Sequence, residues 1–226
     1  MTRKFLQNKT ITAIASSILI LLSINMRVFG QTADARTVEG LFAGISDKVG
    51  SINTIKFSFT QNIYIADSTQ TVKADVLFRR PDSLCVKYSQ PQVQEIYYHE
   101  GYMYTYLPKI GQATRQKRDA VADLLGITTS IILAEKPLAN LRQKFRLSIV
   151  NDNSVILRAE PVDPAMEFDD MTISFNASTF LPVNTIVKAS YFSSQTHFSQ
   201  YSVNPEIDDS SFEFEPSEKV NVIEID

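Results

Sequence analysis

Across residues 79–108 apolar and polar residues alternate on either side of two turn signals, Arg80-Pro81 and Glu100-Gly101. A period of two sends successive side chains to opposite faces, so the segment reads as antiparallel strands with one wall of large side chains. That wall has to be covered. Leaving it in water forfeits roughly 25 cal/mol for every Å² of apolar surface.

The same period governs most of the chain. Ile55, Phe57, Phe59, Ile63 and Ile65 point one way, with Lys56, Ser58, Thr60 and Asn62 opposite. Asp67-Ser68 turns the chain, and Val72, Ala74, Val76 and Phe78 repeat the pattern. Further strands are expected at residues 84–88, 93–98, 102–107, 145–150, 155–159, 171–175, 183–191 and 196–203, with closing pieces at 212–214 and 220–223. Two stretches have helical spacing instead. In the first, Val38, Leu41, Phe42, Ile45 and Val49 form one apolar stripe that Asp34 can cap and Gly50 stops. In the second, Ala120, Val121, Leu124 and Leu125 share a face ahead of Gly126. Thr128 or Thr129 then opens a short helix through Ile131, Ile132 and Leu133, interrupted at Lys136-Pro137.

About ten or eleven strands without strand-helix alternation favour a mainly β fold with some α. The expected form is a single strongly curved antiparallel sheet. The insert at residues 115–144 breaks an otherwise continuous β-chain and carries apolar residues that need a wall to pack on. With the first helix it could plug the concave side.

Residues 1–30 read as a secretory signal: Arg3, Lys4 and Lys9, an apolar stretch, then Val28 and Gly30 as small residues before a cleavage point at Gly30-Gln31. Residues 31–226 then form one domain, expected in the periplasm. Removing the signal takes away Arg3, Lys4, Lys9 and Arg27 and no acidic residue, leaving 18 basic against 25 acidic side chains. That balance argues against nucleic acid and anionic headgroups as ligands, so any lipid is held by its tails.

No catalytic pattern emerges, and neither an enzyme, a metal nor a cofactor is expected. His99 and His197 lack a nucleophile or metal partner at recognisable spacing. Asp169-Asp170 and Asp208-Asp209 read as turn or strand-edge acids. Cys85 is alone and reads as a small strand residue. Tyr97, Tyr98, Tyr102, Tyr104 and Tyr106 read as cross-strand packing.

The order of landmarks resembles the LolA family of periplasmic lipoprotein carriers. Phe59-Thr60-Gln61, Arg80-Pro81, Gln90-Pro91, Tyr106, Pro108, Gln112-Ala113-Thr114 and Phe212-Glu213-Phe214-Glu215-Pro216 fall in step with it. The chain departs from the family in having no Trp, where Val86 and Tyr104 stand. The resemblance implies an incomplete, unclosed β-barrel under a helical lid that shields lipoprotein acyl chains. It implies that Arg80 latches the lid, that Leu84, Val86 and Ile96 line the acyl-contacting wall, and that the lid match falls on Ile131, Ile132 and Leu133. Leu124 and Leu125 join the lid helices. The implied partners are lipoproteins, an inner-membrane ATP-driven release complex and an outer-membrane receptor, the carrier itself acting as a monomer.

A carrier of this kind answers a physical need. Each buried methylene is worth roughly 0.8 kcal/mol, so one long acyl chain in water costs on the order of 10 kcal/mol. A lid competing with lipid for the same wall repays part of that burial when cargo leaves. Replacing Arg80 is then expected to alter release before folding. The alternative class is a related periplasmic module that senses lipoproteins or binds free lipid.

Overall fold

In the computed structural model the described residues are 37–117, 137–150, 155–163 and 169–225. The first helix, α1 (Val38–Val49), buries Leu41, Phe42, Ile45 and Val49, the stripe expected from its spacing. Its cap is Thr37, not Asp34. Thr37 is extended, and its hydroxyl accepts the Gly40 amide at 3.0 Å, satisfying one of the first-turn donors.

Twelve strands follow: β1 (Thr54–Ile65), β2 (Ser68–Arg79), β3 (Ser83–Gln90), β4 (Gln94–His99), β5 (Tyr102–Leu107), β6 (Gln112–Lys117), β7 (Phe145–Ile149), β8 (Val155–Pro161), β9 (Asp170–Phe175), β10 (Pro182–Lys188), β11 (Ser193–Val203) and β12 (Asn221–Ile225). A short helix, α2 (Pro137–Lys144), precedes β7. Proline opens it, since the first helical position needs no amide donor. The strands form one sheet in the order β12-β6-β5-β4-β3-β2-β1-β11-β10-β9-β8-β7, with β12 and β7 as its two ends. The single sheet expected from the alternation is present, and it is unclosed, as the resemblance implied.

Three details differ from the expectation. Residues 212–214 are not a strand: they follow a 3-10 turn (Asp209–Ser211) and pack Phe212 into a hydrophobic cluster. Strand β6 carries no readable alternation, because Gln-Ala-Thr-Arg-Gln-Lys offers only Ala113 as an apolar residue, fully buried though it is. Finally, β12 pairs with β6 in parallel, so the sheet is not wholly antiparallel.

The registers put side chains into rows that cross the sheet. On the concave face Ile55, Phe78, Leu84, Tyr98 and Met103 are successive cross-strand neighbours, as are Phe57, Val76, Val86, Ile96 and Thr105. These rows join α1, Leu141 of α2, Phe145, Leu157, Met171, Ile173 and Phe198 in one continuous core. The two-residue turn at Glu100-Gly101 has both residues at positive φ (50° and 80°), the geometry such a hairpin needs.

Close approach fixes α1 against the β9–β10 turn. A Cβ built on Gly44 would stand 2.5 Å from Phe180 ring atoms. Gly44→Val is therefore expected to cost about 1–3 kcal/mol by overpacking, read as a lower urea midpoint with unchanged slope.

Candidate functional site

Burial is uneven along the concave wall. From β1 to β3 and from β8 to β9 its side chains are buried, with Phe57, Leu84, Leu157 and Ile173 fully enclosed. Towards β4, β5 and the far end of β1 the cover thins. Phe59, Tyr88, Ile96 and Met103 are only partly buried while still packed on the core. The rings of Phe59 and Tyr88 meet edge to face at 6.3 Å, and Phe59 also leans on Phe198 at 6.4 Å. The predicted wall residues thus share one face, but unequally. Leu84 and Val86 belong to the closed core, whereas Ile96 stands on the half-covered part. Further across, Thr105 and Thr114 continue the row, so the wall grows more polar towards β6.

The expected lid residues Leu124, Leu125, Ile131, Ile132 and Leu133 lie outside the described residues, as does the hollow expected beneath them.

Arg80 sits in the β2–β3 turn. Its Nε donates to the Ile52 carbonyl at 2.8 Å, and a terminal guanidinium nitrogen donates to the Val49 carbonyl at 3.3 Å. Its backbone amide adds a bond to the Asn53 carbonyl at 2.8 Å. A planar fork of donors meets carbonyls at and just beyond the end of α1, where the Val49 carbonyl also accepts the Ile52 amide at 3.0 Å. Asn204 completes the clamp: its side-chain oxygen accepts the Asn53 and Thr54 amides at 2.8 and 3.3 Å, and its amide donates to the Ser51 carbonyl at 3.0 Å. Among the described residues, then, Arg80 holds the end of α1.

The convex face has its own smaller core. Cys85, Tyr97 and Phe212 are buried there with Leu77, Tyr104, Ile207 and Phe214 around them. The Phe214 ring lies 5.6, 5.3 and 5.1 Å from those of Tyr97, Tyr104 and Tyr106. Arg79 covers Phe212 at 4.7 Å and pairs with Asp209. So Tyr97, Tyr104 and Tyr106 pack outward under a strap, whereas Tyr98 belongs to the concave core. Burial pushes the Cys85 thiol up to about 11. Beside the strap an open cleft of about 390 Å³ is lined by His99, Glu100, Tyr102, Tyr104, Arg115 and residues 212–215. It lies on the opposite face from the wall.

His99 is hydrogen-bonded to Ser83 at 3.1 Å, and His197 to Asn184 at 2.9 Å. Asp170 accepts from Arg158 at 2.9 Å. No group of three or more His, Cys, Asp or Glu side chains that could hold a metal occurs among the described residues. Nor is any helix among them long and apolar enough to cross a membrane.

A curved, unclosed sheet with a continuous apolar inner wall, part filled by a helix and part half-covered, is a carrier-type binding fold. A family model described as outer membrane lipoprotein carrier protein LolA matches residues 50–215, and the chain belongs to the LolA family. An uncharacterized conserved protein from Thermus thermophilus shares the fold, with a TM-score of 0.53, 11% identity and coverage of 81% of this chain and 98% of that one. A LolA superfamily protein from Nitrosomonas europaea (TM-score 0.41, 12% identity, 79% and 98% covered) and the lipoprotein LppX from Mycobacterium tuberculosis (0.42, 14%, 74% and 97%) are also similar. No curated protein matches the chain.

Proposed function

We propose that this protein is a periplasmic carrier that holds lipoprotein acyl chains against its concave wall and shuttles lipoproteins from the inner to the outer membrane. It takes cargo from an ATP-driven release complex, surrenders it to an outer-membrane receptor, and carries out no catalysis. Residues 1–30 direct its export and are removed. The observation that supports the reading is the half-covered patch of Phe59, Tyr88, Ile96 and Met103, continuous with the core yet not enclosed by it. A hydrocarbon chain laid there gains burial at roughly 0.8 kcal/mol per methylene. Leu124, Leu125, Ile131, Ile132 and Leu133 form the lid that yields to it, and Arg80 sets how readily the helical cover moves.

Gentle purification from a cell envelope followed by mass spectrometry tests this. The native protein should arrive with bound lipoproteins. Ile96→Asp should lose at least about nine-tenths of them, because a carboxylate on the wall would have to be desolvated by the guest. Native protein recovered free of both lipid and lipoprotein would sink the proposal.

A further inference from the structure

We propose that one rim of the sheet is a bilayer-docking surface, formed by the connections β1–β2, β3–β4, β5–β6 and β10–β11. The registers place all four at the same end: β1 to β6 alternate in direction, and β11 runs antiparallel to β1 with Tyr64 opposite Ser193. Each connection presents a large apolar side chain to solvent. Ile65 is 48% exposed, Val93 52%, Ile110 63% and Tyr191 63%. Tyr64 beside Ile65 adds a second tyrosine, 40% exposed. At the opposite rim the described turn residues include Pro81-Asp82, Glu100-Gly101 and Ala177-Ser178-Thr179, none of them large and apolar. Val150, the first residue after β7, and Val203, the last of β11, are exposed there too, but both are held in the ladder: the Val150 amide donates to the Ile156 carbonyl at 3.0 Å and Val203 pairs with Ile55.

The chemistry of the rim favours a lipid surface over a shaped protein partner. Ile65, Val93 and Ile110 are set two strands apart, roughly 10 Å sideways at the usual strand spacing, and Ile65 also stands several residues further along the strand direction than Val93. Separate knobs along an arc do not make a contiguous patch, yet a fluid surface can meet them all. Tyrosine with branched aliphatic residues is the composition that settles at the headgroup level. Among the described residues, the charged side chains at this rim include Asp67, Asp163, Asp169 and Glu218 against Lys109, Lys188 and Lys219, close to balance, whereas residues 31–226 as a whole carry 18 basic against 25 acidic side chains. The β1–β2 hairpin also stands proud: β3 pairs with β2 only as far as Lys73, leaving Ser68 to Val72 beyond it.

The inference rests on the carrier reading and deepens it. Ile63 and Ile65 prolong the concave side of β1 beyond Phe57 and Phe59, so the rim lies where a hydrocarbon chain would leave the wall for a membrane.

The test uses the mature chain and vesicles of phosphatidylethanolamine with phosphatidylglycerol. Because the protein has no Trp, Tyr191→Trp, Ile110→Trp and Val150→Trp each give a single reporter. The first two should shift to the blue when vesicles are added, and the third, at the opposite rim, should not. The combined variant Ile65→Ser, Val93→Ser, Ile110→Ser, Tyr191→Ser should sediment with vesicles about tenfold less than the native chain. Its binding of an apolar dye should be unchanged. Equal shifts at 150 and 191, no shift at 191, undiminished sedimentation of the combined variant, or capture of one membrane protein without binding to protein-free vesicles would each overturn the docking surface. Vesicle binding that survives while the native chain binds neither dye nor lipoprotein would instead support the rim and discard the carrier reading.

Discussion

Phe212→Ala is expected to destabilise the protein by about 3–5 kcal/mol, the range for removing a large aromatic from a closed site. Phe212 is fully enclosed, and it anchors the strap over Cys85 and Tyr97. The same substitution has a chemical readout. In the native protein Cys85 is buried and its thiol is pushed up to about 11, so thiolate is scarce at pH 8 and alkylation should be slow, rising as pH climbs towards 11. Removing the Phe212 ring lets water reach the thiol and returns its ionisation towards the ordinary value. Alkylation at pH 8 should then accelerate by at least about tenfold, from the thiolate fraction alone. An unfolding midpoint and a labelling rate both equal to the native values would show that the strap does not seal the convex face.

Arg80→Met is expected to cost about 3 kcal/mol in urea unfolding, since bonds from a charged donor contribute roughly 1.5–3 kcal/mol each and two carbonyls would lose theirs. The stem of methionine keeps the packing while removing the fork. This separates two roles for Arg80. As the clamp on the end of α1, its loss lowers stability and leaves cargo exchange nearly unchanged. As the latch on the lid, its loss speeds exchange of an apolar dye at near-native stability. A variant altered in neither respect would leave Arg80 without a role.

Much of the architecture was legible because its signal is local. A strand buried on one face repeats every two residues, and a helix with one buried face every three or four, so β1 to β5 and the stripe of α1 could be read from neighbours in the chain. The strand β6 could not, because a single alanine is all its buried face needs where the partner side chains are large. Phe212-Glu213-Phe214 departs for the opposite reason. Its alternation suits a strand, but its aromatic residues go to the convex cluster, a destination set by Tyr97, Tyr104 and Tyr106 far away in the chain.

The candidate site divides in the same way. That Leu84 and Val86 share a face follows from spacing; that Ile96 joins them follows from the β3–β4 register, in which it stands opposite Val86. How far each is covered does not follow from spacing. It depends on where α1 lies, and α1 is positioned by Arg80, by Asn204 and by the lack of room at Gly44.

The alternation of side chains, by itself, determined that this protein is a curved sheet with an apolar wall, because periodicity is a property of consecutive residues. The tertiary structure alone decided which part of that wall is sealed, which helix end Arg80 holds, and that the exposed apolar tips of four connections gather on one rim. Those outcomes depend on register and on strand direction between segments remote in sequence, and no local pattern encodes them.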